Sequence, residues 1–355
     1  MFIDTKKARE FCQRLFQAYG FSEEESVIIS DVLIRADLYG IESHGIHRLI
    51  RYNDEITSGQ VEINAKPEIV HETPVSACIE ANKAMGQLTG VQAMKLAIQK
   101  AKAASCGMVT VRNSNHYGIA GYYTEMAAME DLAGVCMTNT EAICVPTFGA
   151  QAMTGTNAIA FAMPAEPYNF SYDASTTIVP RGKLEVYRKN EMPLPDNWAL
   201  DQNGKPSNDA ALVIDNIIAK AGGGIAPLGG LGTLHGGHKG YGLSVIVDIF
   251  CAIFSGGLTS NYVNRKPDHT GICHYFMAFD YGIFGDKKNI KAILSKFLQE
   301  LRDSKKAEGQ SRIYTHGEMS SQMKSERENG QIPVNEKTFN EMRLLAEKMG
   351  VSFIV

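Results

Sequence analysis

The stretch Gly107-Met-Val-Thr-Val111, followed by Arg112-Asn-Ser-Asn-His-Tyr-Gly118 and then by Ile119 to Glu130, decides the fold class. Five small and β-branched residues read as a buried strand, the Asn- and Gly-containing loop as a connection, and the run after it as a helix. The same alternation continues outward. On the N-terminal side, Val75 to Ala81 reads as a strand and Gly86 to Ala104, rich in Ala, Lys and Gln, as a helix. On the C-terminal side Gly134 to Thr138, Ala158 to Met163 and Phe170 to Asp173 read as further strands. Such alternation predicts an α/β fold with a mixed sheet covered by helices.

The flanks read differently. Apolar residues at helical spacing (Ala8, Phe11, Cys12, Leu15, Phe16) mark a helix over residues 4 to 20. Ser22 with Glu25 three residues on is a capping box opening a second helix to about Tyr39. Pro67 and Pro74 punctuate a linker, and residues 190 to 208 form an irregular excursion. Beyond Gly285, Asn289 to Lys306 and Asn335 to Met349 are charged and helical, and are expected to pack back on the N-terminal helices. The expected organisation is a discontinuous helical domain, residues 1–70 plus 286–355, around a mixed α/β domain at 71–285.

Composition narrows the chemistry. With 44% hydrophobic and 21% charged residues the 355-residue chain is an ordinary globular protein, and a net charge of -4 offers no electrostatic attraction to nucleic acid or an anionic membrane. Seven cysteines without a C-x-x-C pair read as reduced thiols in a cytoplasmic protein. The N-terminus lacks a signal-peptide core, and the longest apolar run, Leu243 to Phe254, is interrupted by Asp248 and too short for a bilayer. A small-molecule substrate is the expected partner.

The densest chemistry lies in Arg35-Ala-Asp-Leu-Tyr-Gly-Ile-Glu-Ser-His-Gly-Ile-His-Arg-Leu-Ile-Arg-Tyr52. If residues 41 to 53 form an α-helix, His44, Arg48 and Tyr52 stack on one face, with Ser43, His47 and Arg51 beside them. A guanidinium clamps a carboxylate through two parallel N–H groups, and an imidazole handles the proton of an adjacent oxygen, so the set suits a small carboxylated carbonyl compound. His116 sits at the carboxyl end of the 107–111 strand, where α/β sheets place ligands. Asp173 ends a strand and is a candidate to orient a histidine or hold a ribose hydroxyl. Gly222 to Gly242 is the glycine-richest segment, and Lys239 within it reads as an anion contact before a helix starting near Leu243. His235 and His238 have no nearby carboxylate or cysteine to complete a ligand set, so no metal is expected. G-x-G-x-x-G after a strand, the P-loop and G-x-S-x-G are all missing, which argues against a Rossmann domain, a P-loop enzyme and a serine hydrolase.

Four blocks together resemble the type-2 malate/L-lactate dehydrogenase family: Arg35 to Arg48, Asn113-Ser-Asn-His-Tyr-Gly118, Gly155-Thr-Asn-Ala-Ile-Ala160 and Gly237-His-Lys-Gly-Tyr-Gly-Leu243. That family includes malate, sulfolactate and ureidoglycolate dehydrogenases and reductases of diketogulonate and piperideine-carboxylate. Val179 to Tyr187 with Pro146-Thr-Phe-Gly149 looks most like members described as malate dehydrogenases. The resemblance implies an NAD- or NADP-dependent oxidoreductase of 2-hydroxy acids, homodimeric, with its cofactor in a non-Rossmann fold, NAD being favoured over NADP. It implies His116 and His44 as acid/base residues and Ser43, Arg48 and Tyr52 as substrate contacts. It implies a cofactor wall of Asp173, Thr176, Pro180, Lys183, Leu228, Gly229, Gly230 and Lys239, with Arg312, Gly317 and Glu318 from a late motif. The expected reaction is hydride transfer between a nicotinamide and C2 of a 2-oxo acid, of malate/oxaloacetate or lactate/pyruvate type, with Arg48 on the carboxylate and His116, or else His44, donating the proton. Alternatives are reduction of a cyclic imino acid or a diketo sugar acid, and a catalytically silent ligand-binding homologue.

Overall fold

Between Cys106 and Ser114 the alternating burial of small and β-branched residues makes a strand at the heart of a sheet. The computed structural model describes residues 1–265 and 269–353. In chain order come β1 (Phe2–Asp4), α1 (Thr5–Tyr19), α2 (Glu23–Leu38), α3 (Leu49–Thr57), β2 (Glu68–Glu72), β3 (Ser76–Glu80), α4 (Gly86–Ala104) and β4 (Cys106–Ser114). Then follow α5 (Ala120–Met129), β5 (Ala133–Thr138), β6 (Ala158–Met163), β7 (Phe170–Ala174), α6 (Arg181–Lys189), β8 (Ala199–Leu200), α7 (Ala210–Ala219) and β9 (Gly224–Ile225). The chain closes with α8 (Gly237–Asp248), β10 (Ile272–Phe279), α9 (Lys287–Asp303), α10 (Glu318–Arg327), β11 (Gln331–Pro333) and α11 (Glu336–Met349).

The main sheet has seven strands in the order β2-β3-β4-β10-β5-β6-β7. β3 and β4 run parallel, and the other neighbours are antiparallel. This mixed topology differs from the parallel, doubly wound sheet of a Rossmann domain. One face is covered by α4 and α5, which pack Ala93, Met94, Ala97, Tyr123 and Ala127 against Val109, Val111, Cys136 and Phe276. On the other, Val247, Cys251 and Ala252, from α8 and the π-helical turn after it, press on Cys273 and Tyr275. Each such large apolar side chain taken out of water contributes roughly 1.5–3 kcal/mol. The helical layer has its own core, in which Phe11, Leu15, Ile29, Leu33, Leu49, Tyr52, Met342 and Leu345 meet. β1 pairs with β11, so the first and last parts of the chain share one small sheet.

Several sequence expectations change. Residues 272–279 received no element in the sequence reading, yet β10 lies at the centre of the sheet between β4 and β5. Between Pro67 and Pro74 lies edge strand β2 rather than a linker. α8 starts at Gly237, six residues before Leu243, and residues 181–189, given no element in the sequence reading, form α6. Among the C-terminal helices α11 packs on α1 and α3, whereas α9 runs beside Tyr281–Phe284 and pairs Lys291 with Glu166.

The largest correction concerns residues 41 to 53, which do not form one α-helix. Two short 3₁₀ turns, Glu42–His44 and Ile46–Arg48, precede α3, with Gly45 in extended backbone between them. Asp37 causes the break. Its carboxylate, buried at the end of α2, accepts the Ile46 N–H at 2.8 Å and occupies the space that a Cβ on Gly45 would need. Gly45→Ala is therefore expected to lower stability by about 1–3 kcal/mol through overpacking. A chemical-denaturation midpoint equal to that of the parent would refute this. Burial also pushes the Asp37 carboxyl up to about 8, with the Ile46 N–H acting in the opposite direction. The folded chain thus keeps a proton that the unfolded chain has released, so this stabilisation is complete below the usual carboxylate range and is lost as pH rises towards 8. Asp37→Asn is expected to flatten that decline, as read from urea midpoints at about pH 5 and about pH 8.

Candidate active site

The turn built on Asp37 delivers its side chains to the loop after β4. Tyr52, held in the core of the helical layer by α3, hydrogen-bonds His116 Nδ1 through its hydroxyl at 2.8 Å. His44 stacks on the same ring, with centroids 5.5 Å apart and planes 27° from parallel. Ser43 Oγ lies 2.9 Å from His44 Nδ1, and Arg48 Nε donates to the Ser43 carbonyl at 2.6 Å. Losing the continuous helix did not separate these residues, because the break at Gly45 swings His44 towards His116 while Arg48 stays one turn before Tyr52. His47 turns away and meets Thr338 of α11 at 3.0 Å.

The His116 loop is fixed by its neighbour. Asn115 is fully buried, and its amide donates to the carbonyls of Lys83 and Ala84 at 2.9 and 3.0 Å while its oxygen accepts from Thr270 Oγ1 at 2.6 Å. Below the loop, His274 of β10 stacks on Tyr117 with ring centroids 4.3 Å apart and meets Thr138 Oγ1 at 2.8 Å. The Gly118 N–H also points at His116 Nδ1, at 3.4 Å, so in the neutral ring Nδ1 accepts and the proton sits on Nε2.

Charge sets the protonation state. Burial holds His116 well below the usual imidazole range, and the positive charges of Arg51 and Arg48, with His44, push it in the same direction. Burial, Arg48 and Arg51 lower His44 to about 3. Burial and Arg51 lower even the Arg48 guanidinium. Two neutral imidazoles therefore stand beside two guanidinium groups, an arrangement that attracts an anionic molecule and offers it an N–H donor.

Asp173 has other partners than the histidines. From β7 it accepts the Gly121 N–H at 2.7 Å at the start of α5. Crowding raises its carboxyl to about 6 against the pull of the Gly121 and Ala120 N–H groups, although part of the residue stays open to solvent. The expected orienting of a histidine thus falls to Tyr52. The segment after it is bonded to the glycine loop: Leu228 N–H to Thr176 O at 2.9 Å and Ile178 N–H to Ala226 O at 3.0 Å. Thr176 is only 2% exposed and gives its hydroxyl to the Thr156 and Asn157 carbonyls, so it braces this wall from inside.

Two helix N-termini open on the same region without a side-chain cap, α6 after Pro180 and α8 after Gly236. Each carries a lysine in its first turn, Lys183 and Lys239. Gly237 and Gly240 pack so closely on the Gly230 and Leu228 carbonyls that a Cβ would overlap them, which keeps the loop containing Leu228, Gly229 and Gly230 flat on α8. Uncapped N–H groups with lysines suit the phosphates of a dinucleotide, and a carboxylate nearby suits its ribose hydroxyls. In the late motif the Ser171 N–H donates to His316 O at 3.2 Å, and Gly317, at φ +92°, packs on β7. Glu318 is buried and holds Arg312, so this pair anchors the motif two residues along the strand from Asp173.

Sequence reasoning missed His274 as a support; it read Asn115 as a hydrogen-bond partner for His116 rather than as the brace of the loop, and named Arg51 beside the His44 stripe without giving it a role. The β-branched and aromatic run Ile272 to Phe279, flanked by Gly271 and Asp280, was the available signal for the strand carrying His274. Among the described residues no group of three His, Cys, Asp or Glu is placed to hold a metal ion, and no helix is long and apolar enough to cross a membrane.

Comparison with known proteins agrees with this geometry. Residues 3–343 match the family model described as malate/L-lactate dehydrogenase. A malate dehydrogenase of Pyrococcus abyssi is 42% identical over 96% of this chain and 93% of its own. The L-sulfolactate dehydrogenase of Methanocaldococcus jannaschii is 33% identical over 99% and 98%, and the ureidoglycolate dehydrogenase (NAD(+)) of Escherichia coli (strain K12) is 30% identical over 86% and 84%. Among solved structures, malate dehydrogenase from Entamoeba histolytica superposes with a TM-score of 0.94 at 33% identity, covering 100% of this chain and 99% of that one. The structure from Pyrococcus horikoshii gives 0.90 at 38% identity, over 100% and 97%. The chain belongs to the malate/L-lactate dehydrogenase family and is a 2-hydroxy acid dehydrogenase.

Proposed function

We propose that the protein interconverts malate and oxaloacetate with a nicotinamide cofactor, His116 being the proton-transferring residue. The observation that carries this reading is the Tyr52–His116 contact, which leaves Nε2–H without a partner among the described residues, under the field of the guanidinium groups. A nicotinamide held at this site would supply the hydride for C2 of the oxo acid. Arg48 holds the C1 carboxylate through its terminal nitrogens, its Nε being tied to the Ser43 carbonyl. With the anionic substrate bound His116 carries a second proton; as charge develops on the carbonyl oxygen the imidazolium gives its Nε2 proton to that oxygen and is left neutral, its Nδ1 proton held by the Tyr52 hydroxyl oxygen. His44, stacked alongside and oriented by Ser43, donates to the same oxygen and polarises it. Hydride and proton together convert the C2 carbonyl to the alcohol, and reversal needs the neutral imidazole as base. The anionic substrate offsets the two guanidiniums, so His116 binds its proton more tightly once substrate is in place.

Asp173 would hold ribose hydroxyls, and the uncapped starts of α6 and α8, with Lys183 and Lys239, would hold phosphates. NAD is favoured over NADP because Arg181, the strongest candidate for a 2′-phosphate, is paired with Glu185 at 3.0 Å. A homodimer fits the exposed apolar stripe Leu243, Ile246, Ile249, Ile253 and Phe254 along α8 and its continuation. Unpaired cysteines, all seven, suit a cytoplasmic setting.

His116→Ala is expected to lower kcat about 10²- to 10⁴-fold. Arg48→Ala should act chiefly on KM for the oxo acid. Near-normal turnover by the histidine variant, in a stopped-flow assay of the reduced nicotinamide, would refute the assignment. In the direction of alcohol oxidation, kcat/KM reports the free enzyme, whose His116 loses its proton well below the ordinary imidazole range. The acid limb of that profile is therefore expected below pH 6.5, the reference value. A limb at neutral pH or above would contradict it.

A further inference from the structure

Holding a 2-oxo acid by its C1 carboxylate takes one guanidinium, yet the chain brings two to His116. Arg51 lies three residues after Arg48 and next to Tyr52, on the first turn of α3. It stands one helical turn on from Arg48, and the charges of both push His116 down. The two heads are mounted alike. Arg48 Nε is tethered to the Ser43 carbonyl and Arg51 Nε to Glu55 Oε1, each at 2.6 Å, while the terminal nitrogens of both hydrogen-bond nothing among the described residues. A guanidinium held by Nε presents its remaining N–H groups as a fork, the shape that an acidic group fills with two parallel hydrogen bonds.

Charge accounting points the same way. Of the carboxylates acting on the pair, Glu55 is buried on α3 and spends Oε1 on Arg51. Glu141, in the loop after β5, is engaged by Lys220 at 3.4 Å and Asn264 at 3.1 Å, and Glu185 of α6 by Arg181. Two adjacent cations thus share one directly bonded carboxylate, and the repulsion between them is relieved best by anions that fill both forks.

We propose that Arg51 is a specificity-determining residue that receives a second acidic group on the substrate, a carboxylate or sulfonate borne by C3, so that dianionic 2-oxo acids are preferred over monoanionic ones. This rests on the assignment of Arg48 to the C1 carboxylate and of His116 to the carbonyl oxygen. Glu55 is then a positioning residue, setting the direction of the Arg51 fork without touching the substrate.

The test compares kcat/KM for oxaloacetate, sulfopyruvate and pyruvate in the parent protein, Arg51→Gln and Arg51→Lys. Gln keeps an N–H for Glu55, so that carboxylate is not stranded. The expected result is a parent that prefers both dianions, a preference over pyruvate that falls on the order of 10- to 100-fold in Arg51→Gln, mainly through KM, and partial recovery in Arg51→Lys. The two dianions separate a carboxylate-selective from a sulfonate-selective fork. Equal losses on all three substrates, or an unchanged ratio, would overturn the proposal, as would a parent that turns over pyruvate as well as oxaloacetate; the dehydrogenase mechanism would survive each of these. A parent inactive on all three would remove that mechanism and this inference together. If Arg51→Gln melts early, the ratio in Arg51→Lys decides.

Discussion

The hydrogen bond between the Tyr52 hydroxyl and His116 Nδ1 joins the helical layer to the mixed sheet at the centre of the candidate site. Tyr52 belongs to the core of the helical layer, and His116 to a loop at the end of a strand in the mixed sheet. Neither half holds a site alone. Because a neutral imidazole has one donor and one acceptor nitrogen, fixing Nδ1 as acceptor also fixes where the ring proton points. A change that slides one layer against the other would therefore disturb the tautomer before it disturbed the fold.

Around that bond the protein holds cations and neutral rings where water would otherwise level the field. Burial and the guanidiniums keep both imidazoles uncharged, so each offers a hydrogen-bond donor. The strain of like charges is carried by rigid supports. Asp37 sits under Gly45, Asn115 ties the His116 loop to three main-chain carbonyls, and Glu55 holds Arg51. The segments around Lys183 and Lys239 follow another principle, main-chain N–H groups at helix starts without a side-chain cap, which suits an anion.

Local patterning made much of this legible beforehand. Period-two and period-3.6 hydrophobicity located most strands and helices, since burial of a strand or helix face writes itself directly into neighbouring residues. The pairing of His44 with Arg48, and His116 at a strand end, were visible as dense polar chemistry in otherwise apolar surroundings. β10 escaped because a short apolar run fits a buried strand or a piece of helix equally well. The helix over 41–53 was wrong because periodicity does not reveal a buried carboxylate, thirty-seven residues into the chain, waiting beneath a glycine.

The sequence by itself determined the class of fold, the absence of a Rossmann fingerprint and the kinds of side chain available, because those depend on composition and on neighbours within a few residues. Only the tertiary structure decided which of them meet. It put Tyr52 rather than Asp173 on His116, turned His47 outward, brought Arg51 to bear on His116 and joined the Asp173–Lys183 segment to the glycine loop. Such contacts span 48 residues and more, and their geometry is set by how two cores pack together, a property that no local stretch of chain encodes.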